Sequence, residues 1–415
     1  MKIFFLVLIY LLAFLVIFRA NANTNNVQLG IDVLLSEKFD LLKNKKVAIL
    51  TNYSGRDSKG NLTVEVLKDI PNIKVKLILT PEHGFFGIKS AGEKVEDDTF
   101  MNIPVVSLYG NNKKIPYRLA KEFDIILVDL QDIGVRAYTF ISTLFYVMQS
   151  AVELNKPIIV LDRPNPLGGV IVDGCTLDMA LKSYIGIAPL SYVHGMTIGE
   201  ISNMMNQEGW INEKNEKNYL CDLSVIEMKG WKRWMQWEDT GLMWFPTSPH
   251  IPSVDAIRGA AMLGWIGELS LFSVGIGTNL PFQFFGFPGF SESFFRTFTN
   301  LEYNGVTLFQ SKFSPAYGKF SGQTCDGFLL KFDRNNNFTP FSNGIELLLK
   351  IREYYPKMFD KSKLESNKAL MFQKATGSIE LLELLFNNGT NSQIRQAGNK
   401  GTKEFLKLRE KYLLY

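Results

Sequence analysis

Five short apolar runs rich in β-branched residues punctuate the first part of the chain: KVAILTN at 46–52, VKLILTP at 75–81, VVSLY at 105–109, IILVDL at 125–130 and IIVLD at 158–162. The runs are continuous, not alternating, as strands of a parallel sheet covered on both faces must be. Parallel neighbours need long crossovers. Amphipathic segments lie between the runs, the clearest being YTFISTLFYVMQSAVELN at 138–155. This alternation predicts a Rossmann-like, doubly wound α/β sheet. A hydrophobic content of 46% over 415 residues is enough to bury it and implies two or three domains. The Pro-rich FPTSPHIPS at 245–253 marks the boundary, giving a first domain at 23–247 and a second at 248–415.

In open α/β sheets the ligand crevice lies outside the carboxyl ends of the strands. Here the runs end in Thr51-Asn52, Pro81-Glu82-His83-Gly84, Tyr109-Gly110, Asp129-Leu130-Gln131-Asp132 and Asp162-Arg163-Pro164-Asn165. Caps and turns account for Asp132 or Gly110 taken singly. They account poorly for Glu82, His83, Asp129, Asp162 and Arg163 together.

Residues 1–22 read as a secretory leader: Lys2, an apolar stretch at 3–18, and small residues in Ala20-Asn21-Ala22. The alternative is an uncleaved anchor. Cleavage removes Lys2 and Arg19, so the net charge drops from +4 to +2, and no later stretch is apolar enough to span a bilayer. Export to the periplasm or the outside follows. So small a charge gives no sign of a nucleic-acid partner. Cys175, Cys221 and Cys325 allow one disulfide and a free thiol, or three buried thiols.

With three histidines and no C-x-x-C, the chain shows no metal centre. It also lacks G-x-S-x-G, G-x-x-x-x-G-K-[ST] and H-E-x-x-H, and Gly275-Ile276-Gly277 lacks the third glycine of a dinucleotide fingerprint. No cofactor is implied. Carboxylates remain. Glu82, beside Phe85 and Phe86, suits a shielded general acid, and Asp129 and Asp132 are offered to the same edge. Two carboxylates across a cleft are the equipment of glycoside hydrolysis. Each also has a plain structural reading as cap or ion pair. Arg136 and Arg163 are candidate clamps for a substrate carboxylate, or internal partners for Asp132 and Asp162. Tyr138 is a hydrogen-bond donor or the first aromatic of its helix, and His194 and His250 sit in loop motifs that serve either contact or structure. An esterase would need Ser191 beside His194.

Taken in order, TPEHGFFG (80–87), AGEKV (91–95), PVVSLYG (104–110), DLQDIGVRAYTFIST (129–143), LDRPNPLGG (161–169), HGMTIGE (194–200), FPTSPHIPS (245–253), FSPAYGKFSGQTCDG (313–327) and SQIRQAG (392–398) resemble the exo-β-N-acetylmuramidase family. The resemblance implies a Rossmann-like domain, a smaller C-terminal α/β domain and an active site in the cleft between them. It also implies release of N-acetylmuramic acid (MurNAc) from the non-reducing end of peptidoglycan fragments such as MurNAc-GlcNAc, in cell-wall turnover and recycling. Glu82 matches the proposed catalytic glutamate, with Asp129 or Asp132 as stabiliser or water activator. Arg136 or Arg163 would grip the lactyl carboxylate. Asn52, His83, Tyr138, Asn165, His194, His250 and Glu268 are the remaining substrate-binding candidates. Similar proteins carry glycine and arginine where this chain has Leu269 and Ile276, and asparagine is common in place of His250. That departure gives weight to a rival expectation, a secreted protein that binds muropeptides without cleaving them.

Overall fold

A computed structural model describes residues 27–213, 216–217, 219–291, 294–295, 303–334 and 337–415. The stretch at 1–22, read above as a leader, lies outside the described residues. All five apolar runs become strands of one sheet: β1 (Lys46–Thr51), β2 (Lys74–Thr80), β4 (Ile103–Ser107), β5 (Ile125–Asp129) and β6 (Ile158–Leu161). Two strands not anticipated, β3 (Asp98–Phe100) and β9 (Leu223–Ile226), extend it to seven in the order β3-β4-β2-β1-β5-β6-β9. Only β3 runs antiparallel. The parallel strands thus follow the classic Rossmann order, which reverses between β1 and β5. Val47, Ala48, Ile49 and Leu50 in β1 are wholly buried. Full burial on both faces explains their unbroken apolar character.

Helices α1 (Gly30–Glu37) and α2 (Thr63–Lys68) pack with the sheet face of Val47 and Ile49. On the other face lie α3 (Phe140–Glu153) and α4 (Ile198–Gln207). A β7 (Asp173–Thr176) and β8 (Ser191–Val193) hairpin leaves this layer and joins the second core. That core is an antiparallel sheet, β10 (Phe284–Phe287), β12 (Cys325–Phe332) and β11 (Val306–Phe313), with the central strand β12. Around it pack α5 (Val254–Gly267), α6 (Pro340–Tyr354), α7 (Ser366–Thr376), α8 (Ile379–Phe386) and α9 (Asn391–Gly398).

The tail after Asn399 does not stay with that second unit. Helix α10 (Thr402–Arg409) and the turn after it cross back, burying Phe405 and Tyr412 against the α3 and α4 layer. Tyr415 accepts a hydrogen bond from the Met228 amide (2.8 Å) and donates one to Asp162 (2.7 Å). Polar anchoring of this kind cannot be read from helical periodicity. The three cysteines are buried free thiols. Among the described residues no helix is long and apolar enough to cross a membrane.

Candidate active site

A pocket of about 640 Å³ opens where the C-terminal edge of the large sheet meets the second unit. That size suits a small-molecule ligand. The sheet contributes Glu82 and His83 after β2, Tyr109 after β4, and Ile133, Val135, Ala137, Tyr138 and Thr139 between β5 and α3. The second unit contributes His250, Glu268 at the end of α5, Ile276 and Lys319, among others.

Glu82 is almost completely buried, at 5% exposure, and three donors fix it. The Gly92 amide bonds Oε1 (2.8 Å), the Thr139 hydroxyl bonds Oε2 (2.7 Å), and the Tyr109 phenol bonds the same carboxylate. A carboxylate offers about four lone-pair sites, so about one stays open to the pocket. Thr139 occupies the N-cap position of α3, yet its side chain does not cap the helix; its hydroxyl serves Glu82 instead. Shielding does not come from Phe85 and Phe86, as the sequence suggests: neither lines the pocket, and Phe86 is exposed.

His83 adopts φ of +73°, uncommon for a residue with a side chain. Its Nδ1 lies 2.7 Å from the Lys89 carbonyl, which can only accept, so Nδ1 carries the proton. The other ring nitrogen is then left for the pocket. His83 stacks with Tyr138, whose hydroxyl donates to Thr247 (2.7 Å). Burial pushes the phenols of Tyr109, Tyr138 and Tyr184 up, so all three remain donors at neutral pH. His250 shares a 3.2 Å hydrogen bond with Tyr317, and burial, aided by His83, lowers its pKa. Glu268 is half-buried, and burial raises its pKa. Its carboxylate makes no ion pair among the described residues. The pocket therefore contains two glutamates, one from each half of the chain.

Other expected site residues are engaged elsewhere, and none of them lines the pocket. Asp129 is wholly buried in a two-point pair with Arg163 (Oδ1 to Nε 2.6 Å, Oδ2 to Nη2 2.8 Å) and accepts from Thr63 at 2.5 Å. This cluster fills the sheet edge beside the β1/β5 switch point. Asp132 accepts from the Gly134 amide (2.7 Å) and lies 3.4 Å from His194 Nε2. His194 Nδ1 accepts from the Met196 amide (3.2 Å), which leaves Nε2 to carry the proton towards Asp132. Arg136 bonds four backbone carbonyls and touches no substrate space. Asn165 closes its own turn with the Leu167 amide and holds the Met196 carbonyl. Asn52 accepts from Ser54. Ser191, the esterase candidate, is fully buried and has no hydrogen bond to His194.

Sequence reasoning missed Thr139, Gly92, Tyr184 and Lys319. Thr139 immediately precedes a helix and reads as an ordinary cap, while Gly92 acts through its amide, which no side-chain pattern reveals.

A Rossmann-like sheet whose strand ends meet a second unit at a pocket carrying two glutamates defines an α/β protein with a small-molecule site. Family models described as the N-terminal and C-terminal parts of the exo-beta-N-acetylmuramidase NamZ match residues 47–255 and 261–415. The chain is 34% identical to the peptidoglycan beta-N-acetylmuramidase NamZ of Bacillus subtilis (strain 168), over 95% of this chain and 92% of that one. Two crystal structures of DUF1343 family proteins from Bacteroides fragilis share its fold. One has a TM-score of 0.86 and 31% identity; the other has 0.72 and 27%. Each alignment covers 94% of this chain and 99% of the other. The chain belongs to the exo-β-N-acetylmuramidase family, and it is a glycosidase.

Proposed function

We propose that this protein is an exported exo-acting hydrolase that releases N-acetylmuramic acid from the non-reducing end of peptidoglycan fragments such as MurNAc-GlcNAc. The observation that carries the reading is Glu82: a buried carboxylate held by three donors, with one face left towards a sugar-sized pocket. Glu82 delivers its proton to the glycosidic oxygen as the bond breaks. The second carboxylate is Glu268, not Asp129 or Asp132, because Glu268 alone of the three lines the pocket. It stabilises the positive charge at the anomeric carbon or activates water. The Tyr109 and Tyr184 phenols, His83 Nε2 and His250 are placed for contacts to hydroxyls or the acetamido group. The apolar leader at 1–22 supports export, and peptidoglycan lies outside the cytoplasmic membrane.

The test compares wild type with Glu82→Gln on MurNAc-GlcNAc and on a nitrophenyl N-acetylmuramide. Wild type should release MurNAc from both; the variant should lose roughly 10²- to 10⁴-fold in rate on the disaccharide, the usual contribution of a positioned acid, and much less on the nitrophenyl glycoside, whose leaving group departs without protonation. A variant as fast as wild type on the disaccharide would refute the role of Glu82. Saturable binding of the disaccharide without product would identify a receptor.

A further inference from the structure

The pocket holds two glutamates and, among its lining residues, only one lysine or arginine, Lys319. Arg136 and Arg163, the cations the sequence offers as clamps, are bound to backbone carbonyls and to Asp129. His83 has one nitrogen tied to a carbonyl, and Ile276 brings only hydrocarbon to its part of the wall. An anionic sugar entering this space meets two acidic side chains; Lys368 acts on Glu268 from outside the lining, and Lys319 is the one ammonium on the wall itself.

Lys319 lies in the loop between β11 and β12, and that loop is built into the pocket rim. The Ala316 amide donates to the Gly277 carbonyl (2.8 Å), and Tyr317 meets His250 at 3.2 Å. Gly277 has φ of +89°, and a Cβ there would sit 2.1 Å from the Tyr317 carbonyl oxygen, so the two loops interlock backbone to backbone. The Gly322 amide, bonded to the Pro315 carbonyl (2.9 Å), closes the loop on itself. Lys319 is exposed and forms no ion pair among the described residues; its ammonium rests 4.8 Å from the Phe320 ring centroid. An exposed ammonium on a pinned loop is a charge held in position without an internal use.

Resting on the muramidase reading above, we propose that Lys319 is the specificity-determining residue that binds the substrate's carboxylate, so that this pocket prefers an N-acetylhexosamine bearing an acidic ether substituent over the same sugar without one. The step involves no bond change: the ammonium pairs with the carboxylate at the pocket mouth while Glu82 addresses the glycosidic oxygen.

Two readouts test it on the full-length protein: kcat/KM on nitrophenyl β-glycosides of MurNAc and GlcNAc, and calorimetric binding of free MurNAc and GlcNAc. Lys319→Met should reduce the MurNAc-to-GlcNAc preference roughly 10- to 100-fold, the range of one charge-assisted hydrogen bond, chiefly through KM. Lys319→Arg should restore much of it, and added salt should weaken the wild-type preference. A Lys319→Met protein with wild-type preference in both readouts overturns the proposal. Wild type that prefers MurNAc in binding but cleaves nothing would refute the hydrolase reading and leave this one standing. Wild type that shows no preference for MurNAc would overturn this one.

Discussion

Arg136→Met separates two uses of a buried arginine. Arg136 is 2% exposed, and its guanidinium donates to the carbonyls of Cys175 (2.8 Å), Leu190 (2.7 Å), Ala375 (3.1 Å) and Thr376 (2.7 Å). Burial pushes its pKa down, and no carboxylate faces it. These bonds tie the loop before α3 to the β7/β8 hairpin and to the end of α7. Gly377 is shaped for the same contact, because its φ is +78° and a Cβ there would lie 2.5 Å from Nη2. Methionine fills most of the volume but donates nothing. Some of the four carbonyls have second donors, such as the Leu177 amide on Leu190, so not every loss counts in full. Removing the cation should then cost about 3–5 kcal/mol, as for other buried partners removed singly. At about 2 cal/mol/K per residue of unfolding entropy, a chain of this length should lose about 5 °C in Tm. Calorimetry or chemical denaturation measures the loss, and kinetics on the folded fraction should show KM near wild type. An unchanged Tm with KM raised tenfold or more would mean that Arg136 grips substrate after all, and would refute the reasoning.

Two further outcomes depend on pH. Because burial holds the Glu268 carboxyl above the usual range, the acidic limb of kcat/KM should fall above the ordinary glutamate value of about 4.3; Glu268→Gln should lower kcat roughly 10²-fold or more and remove that limb from the residual activity. A limb that persists in the variant would rule Glu268 out as the ionising group. Asp162 is raised to about 7 by burial and by Glu200, so the folded state holds its proton more tightly than the unfolded state. Its contribution to stability is fully present below about pH 4 and is lost as pH rises through about 7. Asp162→Asn loses hydrogen bonds at every pH, so only the trend is diagnostic: relative to wild type, its Tm should improve between pH 5 and 8. A constant difference across that range would show that Asp162 does not titrate there.

Local pattern determined the architecture. Five unbroken β-branched runs, separated by amphipathic crossovers, admit little besides a buried parallel sheet, and all five are strands of it. The same logic pointed to the strand ends, where the pocket opens, since a parallel sheet delivers every loop after a strand to one edge. Glu82 and His83 could be chosen there because their neighbours in TPEHG are turn-forming and their chemistry has few structural uses.

Tertiary structure decided which polar groups at that edge remain open to the pocket. Glu82 and Asp129 both follow buried strands and look alike in sequence. Asp129 meets Arg163 and Thr63 and is sealed, while Glu82 meets the Gly92 amide and the Thr139 hydroxyl and keeps one face open. Those partners lie between 10 and 66 residues away, beyond the reach of any periodicity argument. Glu268 and Lys319 enter the pocket only because the second unit folds over the sheet edge, and Tyr415 reaches Asp162 only because the tail crosses back. Hydrophobic pattern is carried by neighbours along the chain and so fixes the layers. The partner of a buried charge is set by where distant loops come to rest, and that choice assigns its chemistry.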